Sequence, residues 1–331
     1  MNLLVLSNNP ERASFRQRIG IYFDTLRTNG IGCEVAKLPA GSLARRKLFK
    51  RAAEFDGVFL HKKALNFFNA VWLRRYSKKI IYDFDDAIMY SPKDPEHDSF
   101  SHFSPFRRTA KLADIVIAGN SYLAELARKF NSNVEILPTG LNTKEYQVEA
   151  ESEDDDKIRL VWIGSKATLR YLAEIKPALE EIGLRFDNVV LRIICDDFFC
   201  LQNMQVEKHS WSKDTQAVDL AASDIGLAPL PDNRFTRGKC GFKILQYETA
   251  RLPVIASPVG TNSDYVRGSV TGLFAKSTQE WIEKISQLIE NPRLRKKMGE
   301  EGLAYAKNFD VSVIGEQLIK LIKACLENAQ S

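Results

Sequence analysis

Short apolar runs and segments of helical period alternate along this chain, and that alternation constrains its fold more than any other feature. "LLVLS" (3–7) precedes "SFRQRIGIYFDTLRTNG" (14–30), where Phe15, Ile19, Phe23 and Leu26 recur at helical spacing and Gly30 is a stop. "CEVAKL" (33–38), "FDGVFLH" (55–61), a helical segment at 64–76 and "KIIYDFDD" (79–86) follow. "DIVIAGN" (114–120), a helix at 121–130 and "NVEILPTG" (133–140) close the first half. Strands separated by helices demand crossover connections, so the expected fold class is α/β with doubly wound parallel sheets.

The pattern breaks once. "EAESEDDDK" (149–157) is acidic, lacks large apolar residues and reads as a linker. It then restarts with "IRLVWIG" (158–164), a helix near 168–183, "VVLRIIC" (189–195), "DIGLAPL" (224–230), a helix at 241–250 and "PVIASP" (253–258). A last helix spans Val311 to Glu327. The expectation is two Rossmann-like domains, 1–148 and 158–310, with the helix of 311–331 crossing back to the first. At 331 residues the chain is long enough for both. In open α/β sheets, ligands bind beyond the carboxyl ends of the strands, here expected to face a cleft that closes on the ligand.

Charge divides unevenly. Residues 1–150 hold 23 Lys and Arg against 16 Asp and Glu, a net +7, whereas the remaining 24 and 26 give −2. The first half therefore favours an anionic partner. Five scattered cysteines without a CxxC pair suggest reduced thiols in a cytoplasmic protein and no metal site. Met1 to Asn9 lacks the basic start and long apolar core of a signal peptide, and no apolar run approaches the roughly 18 residues that would span a bilayer.

"RGKCGFKILQYETARLPVIASPVG" (237–260) carries the chemistry. Gly238 and Gly241 let a ligand approach the backbone, and Lys239 and Lys243 stand four apart at a helix start. Unpaired amides and the helix dipole make such a start a seat for phosphate. The spacing is not that of a GxxxxGK[ST] loop. "WIGSKAT" offers a second strand-to-helix turn, in which Gly164, Ser165 and Lys166 present amides to a pyrophosphate. A plain turn capped by Ser165 or Thr168 is the other reading of that loop.

Residues 224–274, "DIGLAPLPDNRFTRGKCGFKILQYETARLPVIASPVGTNSDYVRGSVTGLF", and 288–310, "LIENPRLRKKMGEEGLAYAKNFD", resemble the carboxyl half of retaining GT-B glycosyltransferases of the family-4 type, the glycosyl transferases of group 1. The resemblance covers 158–310. It extends more faintly over 1–148 through "YDFDDAIMY" and "EILPTGLNTKEY". It implies a nucleotide-sugar donor, UDP first and GDP second, bound by Gly164, Ser165, Lys166, Arg170, Gly238, Lys239, Cys240, Gly241, Phe242, Lys243 and Gln246, with no cofactor. Many members carry two glutamates eight apart. Those positions are Gly238 and Gln246 here, and Gln246 can still bond a ribose, while Asp232 or backbone amides would have to recognise the sugar. The family's Arg and Lys of the first loop fall on Ser165 and Arg170. Lys243 would steady the leaving diphosphate without a metal.

In the first half, Asp83, Asp85 and Asp86 end a strand, and Asp85 or Asp86 occupies the place of a histidine in many relatives. Paired carboxylates there can take an acceptor proton or bind sugar hydroxyls, so Asp85, Asp86 and Lys243 are the expected catalytic residues. An acidic turn and a Mg²⁺-binding DxD are the other readings. Arg16, Arg18 and His61 are expected on the acceptor side. The stretch "LARRKLFKRAAEF" (43–55) is basic and amphipathic, with Leu48, Ala52 and Phe55 on one face. It suits either packing on its own sheet or peripheral contact with the anionic inner face of a plasma membrane. A glycan or lipid-linked acceptor fits such a surface. No nucleic-acid module is visible, and the alternative function is a catalytically inactive GT-B-like binding or scaffold protein.

Overall fold

The computed structural model describes residues 1–148 and 155–327. It contains two compact units. One comprises Met1–Gly140, Asn233–Cys240 and the last helix, and the other Leu141–Asp232 and Gly241–Asp310. Most of the acidic linker, residues 149–154, lies outside the described residues. Asp155, at its end, pairs with Arg159 at 2.7 Å.

The first unit has strands β1 (Asn2–Ser7), β2 (Gly32–Lys37), β3 (Gly57–His61), β4 (Ile80–Phe84), β5 (Ile115–Ala118) and β6 (Val134–Ile136). They form one parallel sheet in the order β2-β1-β3-β4-β5-β6. Side chains alternate across a strand, so β1 feeds two cores. Leu4 and Leu6 pack with Phe49, Phe84 and Phe106 on one face. Leu3 and Val5 pack with Tyr22, Phe59 and Ile81 on the other, where Ile314, Leu318 and Ile322 of helix Val311–Glu327 complete the layer. Both faces are covered, which is why β3, β4 and β5 are buried throughout.

The second unit repeats the plan. Its strands are β7 (Ile158–Ile163), β8 (Val189–Ile194), β9 (Gln205–His209), β10 (Ile225–Ala228), β11 (Val254–Ala256) and β12 (Gly272–Phe274). The order β12-β11-β10-β7-β8-β9 is again all parallel. Leu160 and Trp162 point to one core, Val161 and Ile163 to the other. In each unit the strand order reverses beside the first strand, between β1 and β3 and between β7 and β10. The loops after those strands are the natural ligand positions.

Several predicted helices begin or break differently, among them that near 168–183, which is split into Leu169–Ala173 and Lys176–Arg185, and the basic stretch takes one of its two readings. The single helix at 14–30 is broken into Ala13–Arg18, a tight turn at Gly20–Tyr22, and Phe23–Thr28. Gly20, a poor helix residue, sits at the break. The helix at 64–76 begins only at Phe67, where Asn66 caps it by accepting a hydrogen bond from Asn69 N at 2.9 Å. In the basic stretch, helix Ser42–Lys50 and the short turn Arg51–Glu54 after it bring Leu48, Phe49, Ala52 and Phe55 to the first core. The apolar residues offered for a lipid face are thus used inside, leaving the cations and Leu43 outside.

Candidate functional site

Two charge clusters gather at the carboxyl ends of the first sheet. The inner one is buried. Asp83, near the end of β4, pairs with Arg18 through both guanidinium Nε and Nη2, and its Oδ2 lies 2.9 Å from Nδ1 of His61. Arg18 also donates to the Leu137 carbonyl at 2.6 Å. Burial alone would raise the Asp83 carboxyl, but Arg18 and then His61 hold it below the usual range. Arg18 and His61 are each about 3% exposed or less. They serve Asp83 and are not the open acceptor contacts expected of them. A buried carboxylate without a partner costs several kcal/mol, which accounts for the arrangement. Arg16 is exposed, its Nη1 donating to the Glu11 carbonyl.

The outer cluster holds Asp85 and Asp86. Lys62, in left-handed backbone conformation (φ 52°), reaches Asp85 Oδ1 at 2.9 Å and also pairs with Asp86. Lys239 Nζ lies 3.2 Å from Asp86 Oδ1. Burial pushes the Asp86 carboxyl up, and the two lysines overcome this and hold it low. Asp86 is thus an ionised, neutralised carboxylate and a poor proton acceptor. Cys240 Sγ donates to the Asp85 carbonyl at 2.8 Å. Asn120 caps helix Ser121–Arg128 by accepting from Leu123 N, and its Nδ2 donates to the Lys239 carbonyl at 3.2 Å. A Cβ on Gly238 would stand 2.7 Å from Ala87 Cβ and 2.9 Å from Ala87 N, so only glycine fits. The expected donor loop is therefore divided, with Gly238, Lys239 and Cys240 packed into the first unit and Gly241 onward belonging to the second.

In the second unit, Gly241 adopts the left-handed conformation (φ 59°) that starts helix Phe242–Thr249. Phe242 packs partly buried against the core. Lys243, in the first turn, lies with Nζ 4.3 Å above the Trp162 ring near the end of β7. A Cβ on Gly164 would meet that indole at 2.4 Å, which explains the glycine. The amides of Gly164 and Ser165 are already engaged, the first with the Ile194 carbonyl at 3.1 Å and the second with Thr168 Oγ1 at 3.1 Å. The capped-turn reading holds for this loop, and these two amides are not offered to a pyrophosphate. Lys166 pairs with Asp197 at 3.1 Å, and Arg170 stacks on Tyr171 at 5.0 Å. Gln246 is buried and donates to Tyr146 Oη at 3.0 Å and Gln216 Oε1 at 3.3 Å, commitments that compete with the expected ribose contact. Asp232 is exposed.

Sequence reasoning missed Lys62, Asn120, Trp162 and Glu248. "HKK" after a strand and Asn-Ser before a helix were available signals for the first two. Glu248 is fully buried in helix Phe242–Thr249, and burial, opposed in part by Thr271, pushes its carboxyl up to about 8. The other histidines also find partners, His97 with Asp94, His102 with Ser99 and His209 with Asp219. Among the described residues no three His, Cys, Asp or Glu side chains group as metal ligands, and no helix is long and apolar enough to cross a membrane.

Residues 221–304 match the family model "Glycosyl transferases group 1". No curated protein matches the chain. Among solved structures, sucrose-phosphate synthase from Thermosynechococcus elongatus is similar at 14% identity and TM-score 0.78, covering 99% of each chain. HepE from Anabaena, in complex with UDP and glucose, is similar at 18% identity and TM-score 0.73, covering 98% of this chain and 100% of its own. WaaG, a glycosyltransferase involved in lipopolysaccharide biosynthesis, is similar at 17% identity and TM-score 0.71, covering 97% and 99%. The chain has the GT-B fold of these proteins, and its matched segment contains Lys243 and its helix.

Proposed function

We propose that the protein is a glycosyltransferase whose second unit binds a nucleotide sugar, UDP-linked first and GDP-linked second, and that it transfers the sugar with retention to a glycan or lipid-linked acceptor. The observation that carries this is the position of Lys243. It lies within the family match, in the first turn of an α-helix, over Trp162 near the end of the strand where the sheet order reverses.

As the glycosidic bond breaks, charge develops on the distal phosphate of the leaving diphosphate. Lys243 and the helix N–H groups meet that charge, as an oxyanion hole would, without a resident metal or cofactor. On the acceptor side Asp86 is neutralised by two lysines, so Asp85 is the better candidate to bond or deprotonate an acceptor hydroxyl. HepE has been solved with UDP-glucose, and WaaG acts in lipopolysaccharide biosynthesis, which favours UDP and a cell-surface glycan. The cations of helix Ser42–Lys50 suit a peripheral electrostatic contact with anionic lipid.

One observation favours the scaffold reading. Ala87 fills the space that any side chain at Gly238 would need, so the glutamate that the family resemblance implies at this position has no room here. The test is release of nucleoside diphosphate from a panel of UDP- and GDP-sugars, with membrane glycolipid extract as acceptor. The transferase reading expects release from one donor, reduced in Lys243→Ala and Asp85→Asn. Nucleotide binding with no release from any donor would support the scaffold.

A further inference from the structure

A cavity of about 370 Å³ opens at the point of strand reversal in the first sheet. This falls within the range of about 300–1,000 Å³ common for small-molecule sites. Asn8, from the loop after β1, and Lys62 and Lys63, from the loop after β3, line it together with Arg45, His102 and the apolar Ile88. No Asp or Glu contributes to the lining. The charge of Lys62 is answered by Asp85 and Asp86. Arg45 donates its Nε to the Pro39 carbonyl at 2.6 Å. Among the described residues no carboxylate pairs with Arg45 or Lys63. Burial, and then the charge of Arg45, hold the Lys63 amine below the ordinary lysine range. Two cations thus crowd one small cavity at the strand ends, where doubly wound sheets take their ligands.

We propose that this cavity is a subsite for an anionic group, a phosphate or carboxylate carried by the acceptor, held between Arg45 and Lys63. An anion there would turn a repulsive pair into two charge-assisted hydrogen bonds, and Arg45 could offer a fork of donors. Ile88 and Ala64 supply an apolar wall for the attached sugar or chain. Lys62 touches both this cavity and Asp85, so a ligand anchored by its anion would lie beside the carboxylate proposed for the acceptor hydroxyl. The word "acceptor" rests on the glycosyltransferase reading, whereas the anion site does not.

The test is calorimetric titration of inorganic phosphate, glucose 6-phosphate and glucuronate into the wild type, Lys63→Ala, Arg45→Ala and Lys243→Ala. The proposal expects binding to the wild type that weakens about tenfold or more in the Lys63 and Arg45 variants but not in Lys243→Ala. Tighter binding of glucose 6-phosphate than of glucuronate assigns a phosphate, and the reverse a carboxylate. Because a variant can fail to fold, Lys63→Gln is melted with and without phosphate. The proposal expects phosphate to raise the melting temperature of the wild type and not of that variant. No binding up to the solubility of sodium phosphate, or binding that depends on Lys243 and not Lys63, would overturn it. Phosphate binding through Lys63 by a protein that binds no nucleotide would keep the anion site and sink the transferase reading.

Discussion

The two sheets share one plan, yet the charges at their strand ends do different things. In the first unit, Asp83 near the end of β4 and Asp85 and Asp86 beyond it are all answered by Arg18, Lys62 and Lys239. In the second, Lys243 lies over the indole of Trp162, near the end of β7, and Gly164 keeps the backbone close against that ring. A cluster that neutralises itself mainly holds the fold, and any chemistry it does falls to its rim. Lys243, in the first turn of a helix and over the Trp162 ring, is the cation proposed to meet a phosphate. The same topology thus carries a self-neutralised carboxylate cluster at one set of strand ends and, at the other, the lysine proposed to meet a ligand.

The largest effect expected from this contrast is on stability. Arg18→Met leaves the Asp83 charge buried and should cost about 3–5 kcal/mol in urea unfolding. Adding Asp83→Leu should recover much of that loss. A single variant as stable as the wild type would show that the inner cluster supports nothing.

In the second unit the counterpart is Glu248. Its carboxyl is pushed up to about 8 in the folded chain, against an ordinary value of 4.5. Between those values the folded state keeps a proton that the unfolded chain releases. Stability therefore falls as pH rises through this window. Glu248→Gln should be more stable than the wild type at pH 8, by a few kcal/mol at most, and nearly equal at pH 4.5. Thermal melts at the two pH values decide it, and an equal difference at both would refute the burial argument.

Smaller still is Gly238→Ala, expected to cost about 1–3 kcal/mol because Ala87 must move. Gly41→Ala, whose added carbon meets nothing within 4 Å, should change stability by about 0.5 kcal/mol or less. Comparing the two in urea separates close packing from glycine's general flexibility.

The sequence carried the architecture because apolar runs of fixed period are a local signal. The strands β1, β3, β4, β7 and β8 announce themselves by that pattern. The edge strand β9, with "QVEKH" only partly buried, and the three-residue β12 do not. Helix Phe100–Leu112 is masked by Pro105 inside it. Gly238 and Gly241 were legible as close approaches, though the reasons were Ala87 and a left-handed turn. Arg18 and Asp83 are 65 positions apart, and no local pattern joins them. Gln246 showed hydrogen-bonding capacity but not that Tyr146 and Gln216 would take it up, because partners 100 and 30 positions away are fixed by packing.

The measurement that bears most directly on this account is calorimetric titration of UDP, GDP, ADP and dTDP into the wild type and Lys243→Ala. One of the four, UDP first, is expected to bind the wild type and to bind the variant about tenfold or more weakly. Binding of none, or binding indifferent to Lys243, would contradict it.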